Sequence, residues 1–257
     1  MNKIELIKYI DEYLKIKDFE DGSKNWLQVD SEKIEINKIW FAVDAASYIF
    51  DKSINEKIDL LIVHHGLFWS FQWSLTLTWS HYERIAKLIK NDICLYWAHL
   101  PLDADDKVGN NIWIIKSFIE FFALKNFEIE KFGEYHGVTI WYWIRFNDAI
   151  EIGKLKDFCE KEKFVFEFYN FWNLSEINSF CIMSWWCWED IPQAKDKWYD
   201  VFLIWEAAHY EISLAKDLKQ SVILGWHYET ETVWVKLLAK HLEERFGIET
   251  VFIDEKY

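Results

Sequence analysis

In Leu60-Leu61-Ile62-Val63-His64-His65-Gly66 four consecutive apolar residues run straight into two imidazoles and a glycine. So short an unbroken apolar run suits a strand buried on both faces, the kind found inside parallel sheets. Read outward from it, the flanks alternate. Upstream lie a strand at 34–43, a helix at 46–56 and, near the start, Ile4, Ile7, Ile10 and Leu14 in one helical stripe. Downstream come a loop at 66–79 and a helix to about residue 90, opened by Ser80 as N-cap with Glu83 completing a capping box. A strand at 93–96, a loop at 99–106 and a helix at 110–122 follow. Strands alternating with helices at this spacing predict an α/β fold with a parallel or mixed sheet flanked by helices.

The middle of the chain reads differently. Aromatic-rich, strand-like segments at 135–146 and 164–171 flank a helix at 149–161, the start of a second lobe. Alternation then resumes with strands at 180–184, 200–204 and 221–225 and helices at 189–197 and 207–218. A long helix at 229–246 stops at Gly247, a natural C′ residue, before a last strand at 248–254. The expectation is two α/β lobes, 1–124 and 125–257, the second returning His227 and Glu231 to the motifs of the first.

A formal net charge of −14 argues against a nucleic-acid binder, because phosphate contacts need clustered Lys and Arg. No stretch approaches the ~18 apolar residues of a membrane span, and acidic residues interrupt the opening MNKIELIKYIDEYLKIKDFEDG, which does not read as a secretory leader. Cys94, Cys159, Cys181 and Cys187 form no C-x-x-C pair and read as thiols of a reducing cytoplasm, a Cys181–Cys187 disulfide being the alternative.

One feature of the composition is abnormal: 17 Trp against 8 Gly, where an average chain of this length would carry roughly 18 Gly. The tryptophans fall where turns belong, as in Trp185-Trp186-Cys187-Trp188 and in Trp226 before His227. A backbone that needs positive φ calls for glycine, and tryptophan is about the worst replacement. Some bacterial lineages read the codon UGA as glycine. Translating such a gene with UGA as tryptophan gives this pattern; a protein truly rich in tryptophan is the alternative.

Three segments carry chemistry, each just past a strand, the edge where α/β proteins place their sites. His64 and His65 come first. Neighbours within a strand point to opposite faces, so both reach one site only if the strand stops there or if they bind different ions. Ala98-His99-Leu100-Pro101-Leu102-Asp103 adds a carboxylate, the hard oxygen donor that balances nitrogen ligands. Taken alone, Asp103 reads more often as a turn or N-cap residue. His99 is open between a ligand, a partner bonded to a ligand and an acid or base, with the last two favoured. Finally, His227 and Glu231 share a helix face four residues apart. Glu206 and His209 sit after a strand near a helix start, where they either line the cavity of the site or are surface residues of the helix N-terminus, and His81, His136 and His241 receive no role.

Together these segments resemble the NIF-three-like dinuclear metal-centre family, whose members carry the label GTP cyclohydrolase 1 type 2 homolog. The stretches that match are NWLQV (25–29), VDAA (43–46), IVHHGLFW (62–69), AHLPLDA (98–104), VFLIWEAAHYE (201–211) and GWHYETETVWVKLLAKHLEERFG (225–247). The resemblance spans nearly the whole chain and is weakest in the middle. It implies a two-lobed fold with mixed sheets, and two divalent ions (Zn, Fe, Mn, Co or Ni). His65 and Asp103 would hold one ion, His64 and His227 the other, with Glu231 bridging. It also implies a ring-shaped homohexamer. Where the family has glycine this chain has Trp26, Trp97, Trp185, Trp186, Trp188, Trp205, Trp226 and Trp234.

Two adjacent divalent ions bridge a water, lower its pKa and clamp a developing tetrahedral or phosphoryl centre. The expected function is therefore metal-assisted hydrolysis of a small molecule, by amide-type ring opening or phosphoester cleavage, with His99 moving protons. The alternative is a non-enzymatic metal-binding ring or interaction scaffold.

Overall fold

The computed structural model describes residues 1–20, 22–70, 76–135, 137–184 and 191–255. In chain order the elements are α1 (Lys3–Tyr13), β1 (Trp26–Val29), β2 (Lys38–Asp44), α2 (Ser47–Asn55), β3 (Leu60–His65), α3 (Trp79–Lys90), β4 (Cys94–Trp97), α4 (Leu100–Asp103) and α5 (Asn110–Phe121). Then come β5 (Phe127–Tyr135), β6 (Val138–Glu151), α6 (Lys154–Glu162), β7 (Glu167–Tyr169), β8 (Glu176–Met183), α7 (Ile191–Asp196), β9 (Val201–Ile204), α8 (His209–Asp217), β10 (Ser221–Leu224), α9 (His227–Phe246) and β11 (Glu249–Phe252). They form two compact units: Met1–Leu102 with Thr232–Tyr257, and Asp103–Glu231. Each unit holds one mixed sheet.

In the first unit the strand order is β1-β4-β3-β2-β11. β4, β3, β2 and β11 run parallel, and β1 pairs antiparallel with β4 at the edge. Leu60, Leu61, Ile62 and Val63 are all at most 1% exposed, so β3 is covered on both faces as its apolar run predicts. Alternate residues Trp40 and Ala42 of β2, Leu61 and Val63 of β3 and Leu95 and Trp97 of β4 join Ile49 and Phe50 of α2 and Ile85 and Leu88 of α3 in one core. β3 ends at its two histidines; its pairing with β4 stops at Val63↔Trp97, and that with β2 continues to Asp44↔His65.

The helices of this unit correct two details. Asn2 caps α1, its side chain accepting from the N–H groups of Ile4 and Glu5. Leu6, Ile7 and Ile10 form the buried stripe, while Ile4 faces solvent. Ser80 lies inside α3; the cap position is Thr78, with no side-chain cap bond, and the expected capping box does not form.

In the second unit the order is β5-β6-β8-β9-β10-β7. β8, β9 and β10 are parallel, and β5, β6 and β7 join antiparallel. β6 extends to Glu151 through residues read from sequence as helix, because Ile150↔Ile177 and Glu151↔Glu176 pair with β8 there. Trp185, Trp186, Cys187 and Trp188, as well as His136, lie outside the described residues. Cys94 and Cys159 are free, buried thiols. Among the described residues no helix is long and apolar enough to cross a membrane.

Near the end of the chain Glu255 is buried against the end of β2. Its carboxylate accepts from the N–H groups of Val43 (2.6 Å) and Asp44 (2.9 Å) and from the Tyr48 hydroxyl (3.1 Å). Replacing it with alanine leaves backbone donors buried without an acceptor. The expected loss for Glu255→Ala is about 2 kcal/mol by urea unfolding, with Glu255→Gln losing less; an unchanged midpoint would contradict this role.

Candidate metal centre

Within the first unit three imidazoles gather at the ends of two parallel strands. His64 is fully buried, and its Nδ1 lies 3.1 Å from the Ala98 carbonyl oxygen. A carbonyl oxygen only accepts, so Nδ1 carries the proton and the lone pair is left on Nε2. His65, half-buried, sets its Nδ1 2.8 Å from Asp44 Oδ1 in the same manner. A metal-ligating histidine is held this way: the far nitrogen donates to a carbonyl or carboxylate, fixing tautomer and ring orientation. His99, just past β4, is anchored by its backbone N–H, which donates to Asn25 Oδ1 at 2.7 Å. The ring centroids of His64 stand 4.6 Å from His65 and 4.7 Å from His99, and those of His65 and His99 stand 5.7 Å apart. One ligand atom from each ring falls within 4.8 Å of the others, so this group could hold a metal ion.

Aromatic rings wall the cluster. Trp234 lies 4.1 Å from His64 and Trp69 lies 5.1 Å from His99, centroid to centroid, and the Trp97 indole donates to the His64 carbonyl. Asp44 was not singled out from sequence. It became visible only with the β2–β3 register, which sets it beside His65.

Within the second unit Asp103 is 1% exposed at the end of α4. Its backbone oxygen accepts from the buried Asn111 amide (3.4 Å), which also donates to the Ile140 carbonyl and the Ser184 hydroxyl. The loop closes tightly: a Cβ on Gly109 would sit 2.1 Å from the Asp105 carbonyl oxygen, so only glycine fits. His227 opens α9 and Glu231 follows one turn later, with Nε2 3.0 Å from Glu231 Oε1. On the other side Nδ1 meets Glu206 Oε1 at 2.5 Å. Glu231 is 3% exposed and also accepts from the Trp205 indole at 3.3 Å.

Burial opposes a charge on the His227 ring, but Glu231 and Glu206 together outweigh it and push its pKa up to about 11. Two carboxylates on one imidazole favour a cation at that spot. Beside it Glu167, Tyr169, Glu206, His209 and Trp226 line a cavity of about 270 Å³. Glu206 and His209 thus share a wall of this pocket. The bond from Glu206 to His227 was not foreseen.

These sites sit on a recognisable framework. The family model for Duf34/NIF3 (NGG1p interacting factor 3) matches residues 1–257. The chain belongs to the Duf34/NIF3 family. A Duf34/NIF3 relative from Pyrococcus horikoshii, named GTP cyclohydrolase 1 type 2 homolog, is 38% identical over 99% of this chain and 98% of its own length. One of the same name from Deinococcus radiodurans is 32% identical over 97% of this chain and 92% of its own. Among solved structures, one from Thermus thermophilus is 33% identical with a TM-score of 0.84, covering 100% of this chain and 99% of its own. Protein ybgI, described as of unknown function, superposes with a TM-score of 0.86 at 25% identity, covering 100% and 99%.

In metal-free protein the His227 ring should stay protonated well above the ordinary histidine range. Because its folded pKa lies above the unfolded value, its contribution to stability is complete below about pH 6.5 and fades as pH rises toward 11. Nuclear magnetic resonance of the imidazole carbons across that range tests this; a neutral ring at about pH 8 contradicts it. Glu206→Gln should move the titration downward.

Proposed function

We propose that this protein is a metal-dependent hydrolase with a centre of two divalent ions, held by His64, His65, Asp103, His227 and Glu231. The observation that carries the reading is the pair of adjacent histidines, each secured through Nδ1 with its lone pair turned to Nε2. His227, held between two carboxylates, supports it, because Glu206 and Glu231 supply negative charge beside a nitrogen donor.

Three imidazoles and two carboxylates suit Zn, Fe, Mn, Co or Ni. The ion pairing follows the family resemblance: His65 with Asp103, His64 with His227, and Glu231 between. When bound, such a pair of ions supplies a hydroxide at neutral pH and polarises the bond under attack. The residues do the rest. Asp44 keeps the His65 ring oriented, Glu206 does the same for His227, and His99 moves a proton to or from the substrate. The relatives' name points to a cyclic amide of a purine-type ring as the first substrate class to test, with phosphodiesters second. The setting we propose is a cytoplasmic homohexamer, which accords with the free thiols of Cys94 and Cys159.

Metal analysis of purified protein should give two ions per chain. Turnover of GTP, cyclic amides or phosphodiesters should disappear in His64→Ala and Glu231→Ala while the assembly persists. No turnover on any of these substrates by intact, metal-loaded protein would sink the hydrolase reading and favour a metal-binding scaffold. Loss of the assembly in those variants would make the metal structural. Asp44→Ala, which frees the His65 ring, should weaken metal affinity about 10–100-fold with the fold retained; unchanged affinity would remove Asp44 from the site.

A further inference from the structure

We infer that Trp26, Trp79, Trp198 and Trp226 stand where the native polypeptide has glycine, their codons being UGA read as glycine. The backbone makes the case. Trp26 has φ 140°, far outside the small left-handed region near +50 to +70° open to residues with a Cβ, in a zone that is essentially glycine-only. Trp79, Trp198 and Trp226 have φ of 47°, 59° and 63°. The other non-glycine residues with positive φ are Lys15, Lys57, Asp92, Ala123, Lys163, Asn173 and Lys219. None of these is aromatic or β-branched, so among the described residues every bulky ring in that region is a tryptophan.

Local context agrees. Trp198 is the C′ residue of a Schellman motif closing α7: its N–H bonds the Lys195 carbonyl and that of Tyr199 bonds the Ala194 carbonyl. Gly247 holds the equivalent place after α9 with φ 64°. Trp226 joins β10 to α9, its N–H bonded to the Trp205 carbonyl. Nor does burial compensate for the strain, since the four side chains are 52–87% exposed. An exposed indole gains little from the hydrophobic effect, while its Cβ still meets the backbone unfavourably. The deficit of glycine and excess of tryptophan in the whole chain, 8 against 17, have the same direction.

The consequence reaches the site. Trp226 is one wall of the cavity that Glu206 and His209 line beside His227. With glycine there, that wall is bare backbone and the approach to His227 widens. The inference stands apart from the metal reading and does not rest on it.

Tandem mass spectrometry of tryptic peptides 25–33, 58–84, 198–216 and 220–236, taken from polypeptide isolated from its source cells, tests it directly. The expected result is glycine at 26, 79, 198 and 226; tryptophan at two or more of the four overturns the inference. Protein made with the tryptophans gives a second readout. Trp26→Gly, Trp198→Gly and Trp226→Gly should each raise the thermal midpoint by about 2–4 °C as the strain is relieved. A fall in midpoint for all three would show that the indoles belong there.

Discussion

An imidazole held through one ring nitrogen has its tautomer and orientation fixed, and much of the first unit holds two rings in this way. The grip on His64 is a main-chain carbonyl just past β4, and the grip on His65 is the carboxylate that ends β2. Both exist only because three parallel strands finish at the same edge in fixed register. Glu255 extends the chain of support, since its carboxylate holds the amide of the residue whose own carboxylate orients His65. Placing a ring nitrogen to within a fraction of an ångström therefore depends on contacts from β2, β4 and the last residues of the chain at once.

The second unit solves the complementary problem, charge. A histidine at the first turn of a helix stands near the positive end of the helix dipole, which disfavours a cation. Glu231 one turn on and Glu206 from the segment after β9 reverse that preference. The first unit thus holds its rings through a carbonyl and a carboxylate, and the second holds its ring between two carboxylates.

The α/β alternation was legible because it is written in period: apolar runs for β3, β9 and β10, helical stripes for α1 and α5. The candidate histidines could be singled out because each lies at a strand end or helix start that those periods locate. What stayed hidden depends on pairing. Asp44 is twenty-one residues from His65, and nothing in either segment alone says they are neighbours. The tail of β6 looked helical because its sheet partners are in β8. β1 escaped notice because a four-residue edge strand that opens on an exposed tryptophan carries no alternation to read. The Ser80–Glu83 box was a correct pattern in the wrong place: the helix starts two residues earlier, with Thr78 at the cap position, and a capping residue cannot act from inside the turn it should open.

The first unit is discontinuous. Its sheet closes only when β11 pairs with β2, a contact across some two hundred residues of chain. On the ribosome, everything needed for the Asp103–Glu231 sheet emerges while the first sheet still lacks an edge strand and Glu255. The later-starting unit can thus reach its native form first, and the residues around His64 and His65 must wait in an incomplete sheet until β11 and Glu255 have emerged. Through that interval the edge of β2 that β11 covers is unpaired, the kind of open strand edge that chaperones and proteases act on.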